Sequence, residues 1–557
     1  MNKPAKTLAI SRSTSKSLAR TRGPEKHRSA LAVAIAGALS FGLQSGVHAG
    51  VFPAQVELSS LDGSNGVIFF GEATDDRLGY SASSAGDVNG DGIDDLIIGA
   101  YSADPSGSFS GRTYVVFGSA DGLTSPFKLS TLNGTNGFAI DGEGGSDFSG
   151  ISVSGAGDIN GDGIDDLVIG ATGVDVGGNE SAGRTYVVFG SDGGFADPFD
   201  LSTIDGTNGF LLNGEAADDD SGFPVAAAGD LNGDGVDDLV IGAVPSSPGG
   251  NSEAGRVYVV FGSASGLPNP FNLSTLDGTN GIVINGASAG DDTGQSLDGA
   301  GDVNGDGTAD LIIGAPGAGQ GGRAYVVFGS TSGLPNPLNL SGLGDPFGVI
   351  IEGAAPDDDA GQSVSAAGDI NHDGIDDLII GAPGASPNQT DGAGRSFVVF
   401  GSETSLQSTV QLADLNGLNG FTLNGEAAFD ASGLSVSEGG DLNGDGIDDL
   451  IIGAWRSDTT GYDAGRAYVI YGSDSQLPNP LNLATLDGDR GFAIDGEVAE
   501  DLAGLPVSSA GDFNGDGIDD LLTSAFDADS GGNESSGRSY VLFGRADDLF
   551  GDRFEDE

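Results

Sequence analysis

The chain has 557 residues, 82 of them acidic against 21 basic, for a formal net charge of −61. A polyanion of that density repels other polyanions, which argues against nucleic acid or an anionic bilayer surface as a partner. It has no cysteine and three histidines, so disulfide scaffolds and thiol chemistry are excluded and imidazole chemistry has little to work with.

Residues 1–29 hold eight Lys or Arg and one acid, Glu25. A 14-residue apolar stretch follows, Ala30 to Leu43, and then Val47-His48-Ala49, a small-x-small signature. This predicts a secretory signal peptide over residues 1–49, cleaved after Ala49. The stretch is shorter than the ~20 residues that cross a bilayer. With no longer apolar run, the reading is an exported protein (extracellular, cell-surface or periplasmic) without a transmembrane segment. Beyond residue 49, 13 basic and 81 acidic residues remain, and His372 is the one histidine.

Next comes a lone strand-like run, Gly66 to Gly71, and then a nine-residue pattern, D-x-N-G/H-D-G-x-x-D, written seven times. The copies begin at Asp87, Asp158, Asp230, Asp302, Asp369, Asp441 and Asp512, spaced 67 to 72 residues apart. Each period carries four strand-like runs, as in Ile151–Gly157, Asp166–Ala171, Gly183–Gly190 and Gly209–Gly214. Four short strands per repeat, seven times over, predict an all-β fold, a seven-bladed β-propeller of four-stranded antiparallel blades over residues 50–545. The last period stops after its third run, Ser539–Gly544, so the N-terminal run 66–71 is predicted to complete that blade and close the ring. Residues 546–557 form an acidic tail.

The repeated loop has the chemistry of a calcium site. Oxygen donors at alternate positions wrap a hard cation, with a glycine at the sharp turn. The predicted ligands are side chains at positions one, three, five and nine and the carbonyl of position seven. They are Asp87, Asn89, Asp91, Ile93 and Asp95; Asp158, Asn160, Asp162, Ile164 and Asp166; and Asp230, Asn232, Asp234, Val236 and Asp238. The fourth and fifth loops give Asp302, Asn304, Asp306, Thr308 and Asp310, then Asp369, Asn371, Asp373, Ile375 and Asp377. The last two give Asp441, Asn443, Asp445, Ile447 and Asp449, then Asp512, Asn514, Asp516, Ile518 and Asp520. Position eight is Ala309 in the fourth loop, so the acids there (Asp94 and its counterparts) read as solvated. An EF-hand is excluded, because it needs a carboxylate at position twelve and a following helix. Here Ile98 and its counterparts stand in an apolar run that reads as a strand. Up to seven Ca2+ ions are implied.

Three features together resemble the FG-GAP repeat of the integrin α-chain N-terminal propeller. The third run ends in Phe-Gly (Phe117-Gly118, Phe189-Gly190, Phe261-Gly262), the second reaches Gly-Ala-Pro (Gly314-Ala315-Pro316, Gly381-Ala382-Pro383), and the acidic loop lies between. The resemblance spans about residues 52–545. It implies calcium on one face of a seven-bladed ring and adhesion through the other. The Pro position instead holds Tyr101, Thr172, Val244, Trp455 and Phe526 in the remaining repeats.

Seven arginines share one repeat position (Arg112, Arg184, Arg256, Arg323, Arg395, Arg466, Arg538), and seven aspartates another (Asp76, Asp147, Asp219, Asp291, Asp358, Asp430, Asp501). They are expected to pair as a structural clip. Tyr101, Trp455 and Phe526, with Arg456 and Tyr462, form a candidate recognition cluster on blades 1, 6 and 7, opposite the calcium loops. The functional expectation is a calcium-binding adhesion module for a protein or surface glycan, without catalysis. The alternatives are a propeller-based glycan lyase or hydrolase working through paired carboxylates, or a structural surface or matrix protein.

Overall fold

The computed structural model describes residues 52–403 and 406–546. The predicted leader and nearly all of the acidic tail lie outside the described residues. No helix among those described is long and apolar enough to cross a membrane. Seven sheets, one per blade, make an all-β seven-bladed propeller.

Blade 1 shows the plan. Its first strand, Ala82–Gly86, is followed by Asp95–Ala100, Arg112–Val116 and Gly137–Asp141, each antiparallel to the one before. The second strand has apolar residues on both faces, since it sits between two neighbours. Leu96 and Ile98 pack with Val67, Leu522 and Val541 of blade 7, whereas Ile97 packs with Leu167, Ile169 and Tyr186 of blade 2. The core is therefore seven interfaces arranged between blades. Close approach there requires glycine at particular points: a Cβ on Gly99 would lie 2.1 Å from the carbonyl oxygen of Gly150 in the next blade's entry.

Each sheet has a fifth strand that the four-run reading misses. Blade 1 ends in Phe199–Asp200, a two-residue strand from the following repeat that runs parallel to Gly137–Asp141. Such strands are too short to show a sequence period. The ring closes as expected, because Gly66–Phe70 pairs antiparallel with Arg538–Leu542 and completes blade 7. Just before it, Gln55–Glu57 supplies the fifth strand of blade 6.

Three polar ties recur between neighbouring blades. On the inner rim, Ser81 Oγ accepts the Val153 N–H of the next blade at 3.0 Å, and Ser152, Ser296, Ser363 and Ser435 repeat the bond. On the acidic-loop side, the position-eight carboxylate caps the first residue of the preceding blade's loop. Asp165 Oδ2 accepts the Asp87 N–H at 2.9 Å, and Asp237, Asp376, Asp448, Asp519 and Asp94 do likewise. These acids are half-buried clamps rather than the solvated groups expected. The clamp leaves no room beside it: a Cβ on Gly86 would lie 2.3 Å from Asp165 Oδ2.

The third tie corrects the arginine clip. Arg112 pairs with Glu72 at 3.4 Å and with Asp141 at 2.7 Å, not with Asp76. Glu143, Glu215, Glu426 and Glu497 reach Arg184, Arg256, Arg466 and Arg538 of the next blade in the same way. Asp76 instead is buried and accepts the Ala73 N–H at 2.9 Å, with burial pushing its pKa up to about 6. The signal for the true partner was the Gly-Glu pair that ends the fourth run in five repeats, from Gly71-Glu72 to Gly496-Glu497.

Candidate metal loops and the opposite face

The seven acidic loops join the first and second strands of every blade. In the first, Asp87 accepts the Asp91 and Gly92 N–H groups at 2.9 and 2.8 Å, and Asp91 accepts the Ile93 N–H at 3.0 Å. The same set is formed in the other six, for example by Asp302 with Asp306 and Gly307. Gly92 turns the loop at φ +89°, and nothing lies within 4 Å of a Cβ placed there, so backbone conformation and not crowding selects glycine. His372, which replaces glycine at position four of the fifth loop, is exposed and holds φ +58°.

Position nine links the loop to the third strand. Asp95 is fully buried and accepts the Val88 N–H at 3.2 Å and the Gly118 N–H at 2.9 Å. Gly118 is the glycine of Phe-Gly, and a Cβ there would lie 2.2 Å from the Asp94 carbonyl oxygen. Acidic loop and Phe-Gly are therefore one structural unit. Burial, and then the nearby Asp91 and Asp87 carboxylates, push the Asp95 pKa up to about 8; Asp166, Asp238, Asp310, Asp377 and Asp520 match it.

The donor set suits a hard divalent cation. Each Asp87 oxygen accepts one backbone hydrogen bond and keeps a second lone pair. Asn443 Oδ1 in the sixth loop is buried without a hydrogen-bond partner. Among the described residues, no set of three or more acids or histidines is closed tightly around one point. The remaining donors would be the position-three amide and the position-seven carbonyl. In donor type and in sequence spacing, these oxygens are the kind that calcium takes.

The opposite face is built from the second-to-third-strand loops and the blade crossovers. Of the predicted recognition cluster, Tyr101 and Phe526 meet through Tyr80, whose ring lies 4.7 and 5.4 Å from theirs. Arg77 donates to the Tyr101 hydroxyl at 2.9 Å. Neither Tyr80 nor Arg77 was singled out from sequence, since neither recurs in the other repeats. Trp455 stands apart on blade 6, with the Arg456 guanidinium 4.6 Å above its ring. Tyr462 of blade 6 and Phe429 of the crossover that enters it are 65% and 58% exposed, more than a core aromatic tolerates. The predicted cluster is thus divided: Tyr101 and Phe526 meet across blades 7 and 1, while Trp455 is half-buried on blade 6 under Arg456.

A profile of the FG-GAP repeat matches residues 78–116, 149–188, 224–260, 293–327, 360–399, 433–470 and 506–542, one stretch in each blade. The chain is an FG-GAP repeat protein. It is 31% identical to human phosphatidylinositol-glycan-specific phospholipase D over 414 residues, which cover 70% of this chain and 45% of that one. It is 30% identical over 248 residues to integrin alpha pat-2 of Caenorhabditis elegans, covering 42% and 18% of the two chains. Integrin alpha-PS5 of Drosophila melanogaster matches at 33% over 180 residues, 31% of this chain and 16% of its own. The FG-GAP chain therefore spans less than half the length of these relatives.

Proposed function

We propose that this FG-GAP propeller is an exported binding module whose seven acidic loops take calcium and whose opposite face meets a protein or surface-glycan partner. The observation that carries the reading is the loop set: the same all-oxygen donors, held by the same backbone hydrogen bonds, on one face of all seven blades. Calcium there stiffens the ring and offsets carboxylate repulsion. On blade 6 the half-buried Trp455 with the exposed Arg456 and Tyr462 is the contact surface, because large aromatic side chains and arginine dominate binding energy. The relatedness to integrin α chains supports adhesion. The relatedness to a phospholipase D supports a second reading, a propeller that accompanies or performs lipid-glycan hydrolysis, in which carboxylates would carry the chemistry since His372 is the only imidazole beyond the leader.

One experiment addresses both halves. The chain from residue 50 is melted with millimolar calcium and with chelator, bound metal is counted, and the same samples are applied to immobilised matrix proteins and glycans. About seven ions, a large fall in Tm on chelation, and calcium-dependent binding weakened by Trp455→Ala are expected. Absence of bound metal and an unshifted Tm would end the calcium reading.

A further inference from the structure

The seven blade junctions are not equally tied. The junctions of blades 1–2, 2–3, 5–6 and 6–7 have all three polar ties: inner-rim serine, position-eight aspartate and Glu–Arg bridge. The 7–1 junction has Pro506 for the serine, yet keeps the Asp94 clamp at 2.8 Å and the Glu72–Arg112 pair. The 4–5 junction has Ala354 for the glutamate, yet keeps Ser296 and Asp376.

Among the described residues, the 3–4 junction has none of the three. Pro224 stands where the serine would be, Ala309 where the aspartate would be, and Ala287 where the glutamate would be. Arg323 keeps only the own-blade partner, Glu352 at 2.9 Å, that Arg112 has in Asp141 and Arg466 in Asp495. These losses lie on the inner rim and on both faces. The outer edge of the same junction is intact: Ile284 and Asn285 of blade 3 pair with Leu338 and Asn339 of the next repeat. Asn336 fastens it further, accepting the Val283 N–H at 3.0 Å and donating to the Leu276 carbonyl at 3.1 Å.

We propose that the ring opens at the seam between blades 3 and 4, pivoting on its outer edge, and not at the 7–1 junction where N- and C-terminal strands meet. The apolar interface is present at every junction, so it does not distinguish one from another. The polar ties do, and local opening follows the least-tied contact. Such a seam lets the inner rim part while the perimeter stays stapled, giving the propeller one defined hinge. It depends on no metal and on neither functional reading.

Hydrogen exchange on the chain from residue 50, followed by mass spectrometry, tests this. Amides of the first strands of blades 3 and 4, Val225–Gly229 and Leu297–Gly301, are expected to exchange on the order of tenfold faster than those of Ser152–Gly157 and Ser363–Gly368. The double variant Ala309→Asp, Ala287→Glu, which restores two ties, should slow those amides selectively and raise Tm. Uniform exchange around the ring, or fastest exchange at blades 7 and 1, would overturn the proposal. So would a double variant that folds and leaves the pattern unchanged.

Discussion

The position-eight aspartate shows how one residue can be misjudged from a repeat. Ala309 proves the position dispensable for the loop, but the loop is not what the acid serves. Asp165 reaches out of its own loop and holds the N–H of Asp87 in the neighbouring blade. The two readings give opposite signs. If Asp165 were a solvated acid in a chain this negative, Asp165→Ala would relieve repulsion and stabilise the protein. As a clamp on a half-buried N–H, its loss should cost about 1–2 kcal/mol. Urea unfolding of the two proteins, with equal m-values, gives the sign; a stabilised variant would return the residue to the solvated class. The same logic separates Glu72 from Asp76. Both are acids near Arg112, and only the geometry distinguishes an ion pair at 3.4 Å from a carboxylate that caps its own turn.

At the scale of elements, the second and third strands and the acidic loop were legible because their constraints are local: burial on both faces, a tight glycine turn, alternate oxygens. The two-residue fifth strand was not, since its pairing lies in the next repeat. The first strands carry a further feature, because they line the axis of the ring. Most of their residues are small, but Glu438 of blade 6 and Asp298 of blade 4 place carboxylates there. Both stand on first strands two blades apart, and Asp298 accepts the Ser365 hydroxyl of blade 5 at 2.7 Å. Glu438 is open to the channel water but walled in by protein. Loss of hydration, and then Asp298, Asp448, Asp376 and Asp519, push its pKa up to about 7. A carboxyl with a folded pKa above its unfolded value favours the fold only while protonated. Its contribution is therefore lost as pH rises from about 4.5 through 7. Glu438→Gln should leave Tm unchanged at pH 4.5 and raise it at pH 8, narrowing the pH dependence measured by calorimetry at fixed calcium. An unchanged slope between the two proteins would place the channel charge elsewhere.

For the whole molecule, closure determines whether seven blades behave as one unit. Repeat arrays that stay open lose structure from their ends, one interface at a time. Here the chain avoids having ends. Residues 52–72 supply the fifth strand of blade 6, the fourth strand of blade 7 and the Glu72 partner of Arg112 in blade 1, so one short segment joins three blades. Phe52 stacks on Phe492 at 4.3 Å, and Phe69 packs against Phe127 and Phe513, which fixes the segment by apolar contacts as well as by strand pairing. That much was foreseeable from counting strands, because an unpaired first run and an incomplete last repeat have one economical solution. The attachment to blade 6 was not, since Gln55–Glu57 is three residues long and has no period to read. Removing residues 50–72 would expose the edge of Arg538–Leu542 and uncover Phe492 and Phe513 together. The truncated chain is expected to melt well below the intact one and over a broader range, with fraying that begins at blades 6 and 7. A chain that is only closed, without being stabilised by closure, would keep its Tm and its sharp transition. Differential scanning calorimetry of the two forms, both with calcium and both with chelator, distinguishes these outcomes and separates the contribution of the strand from that of the metal loops.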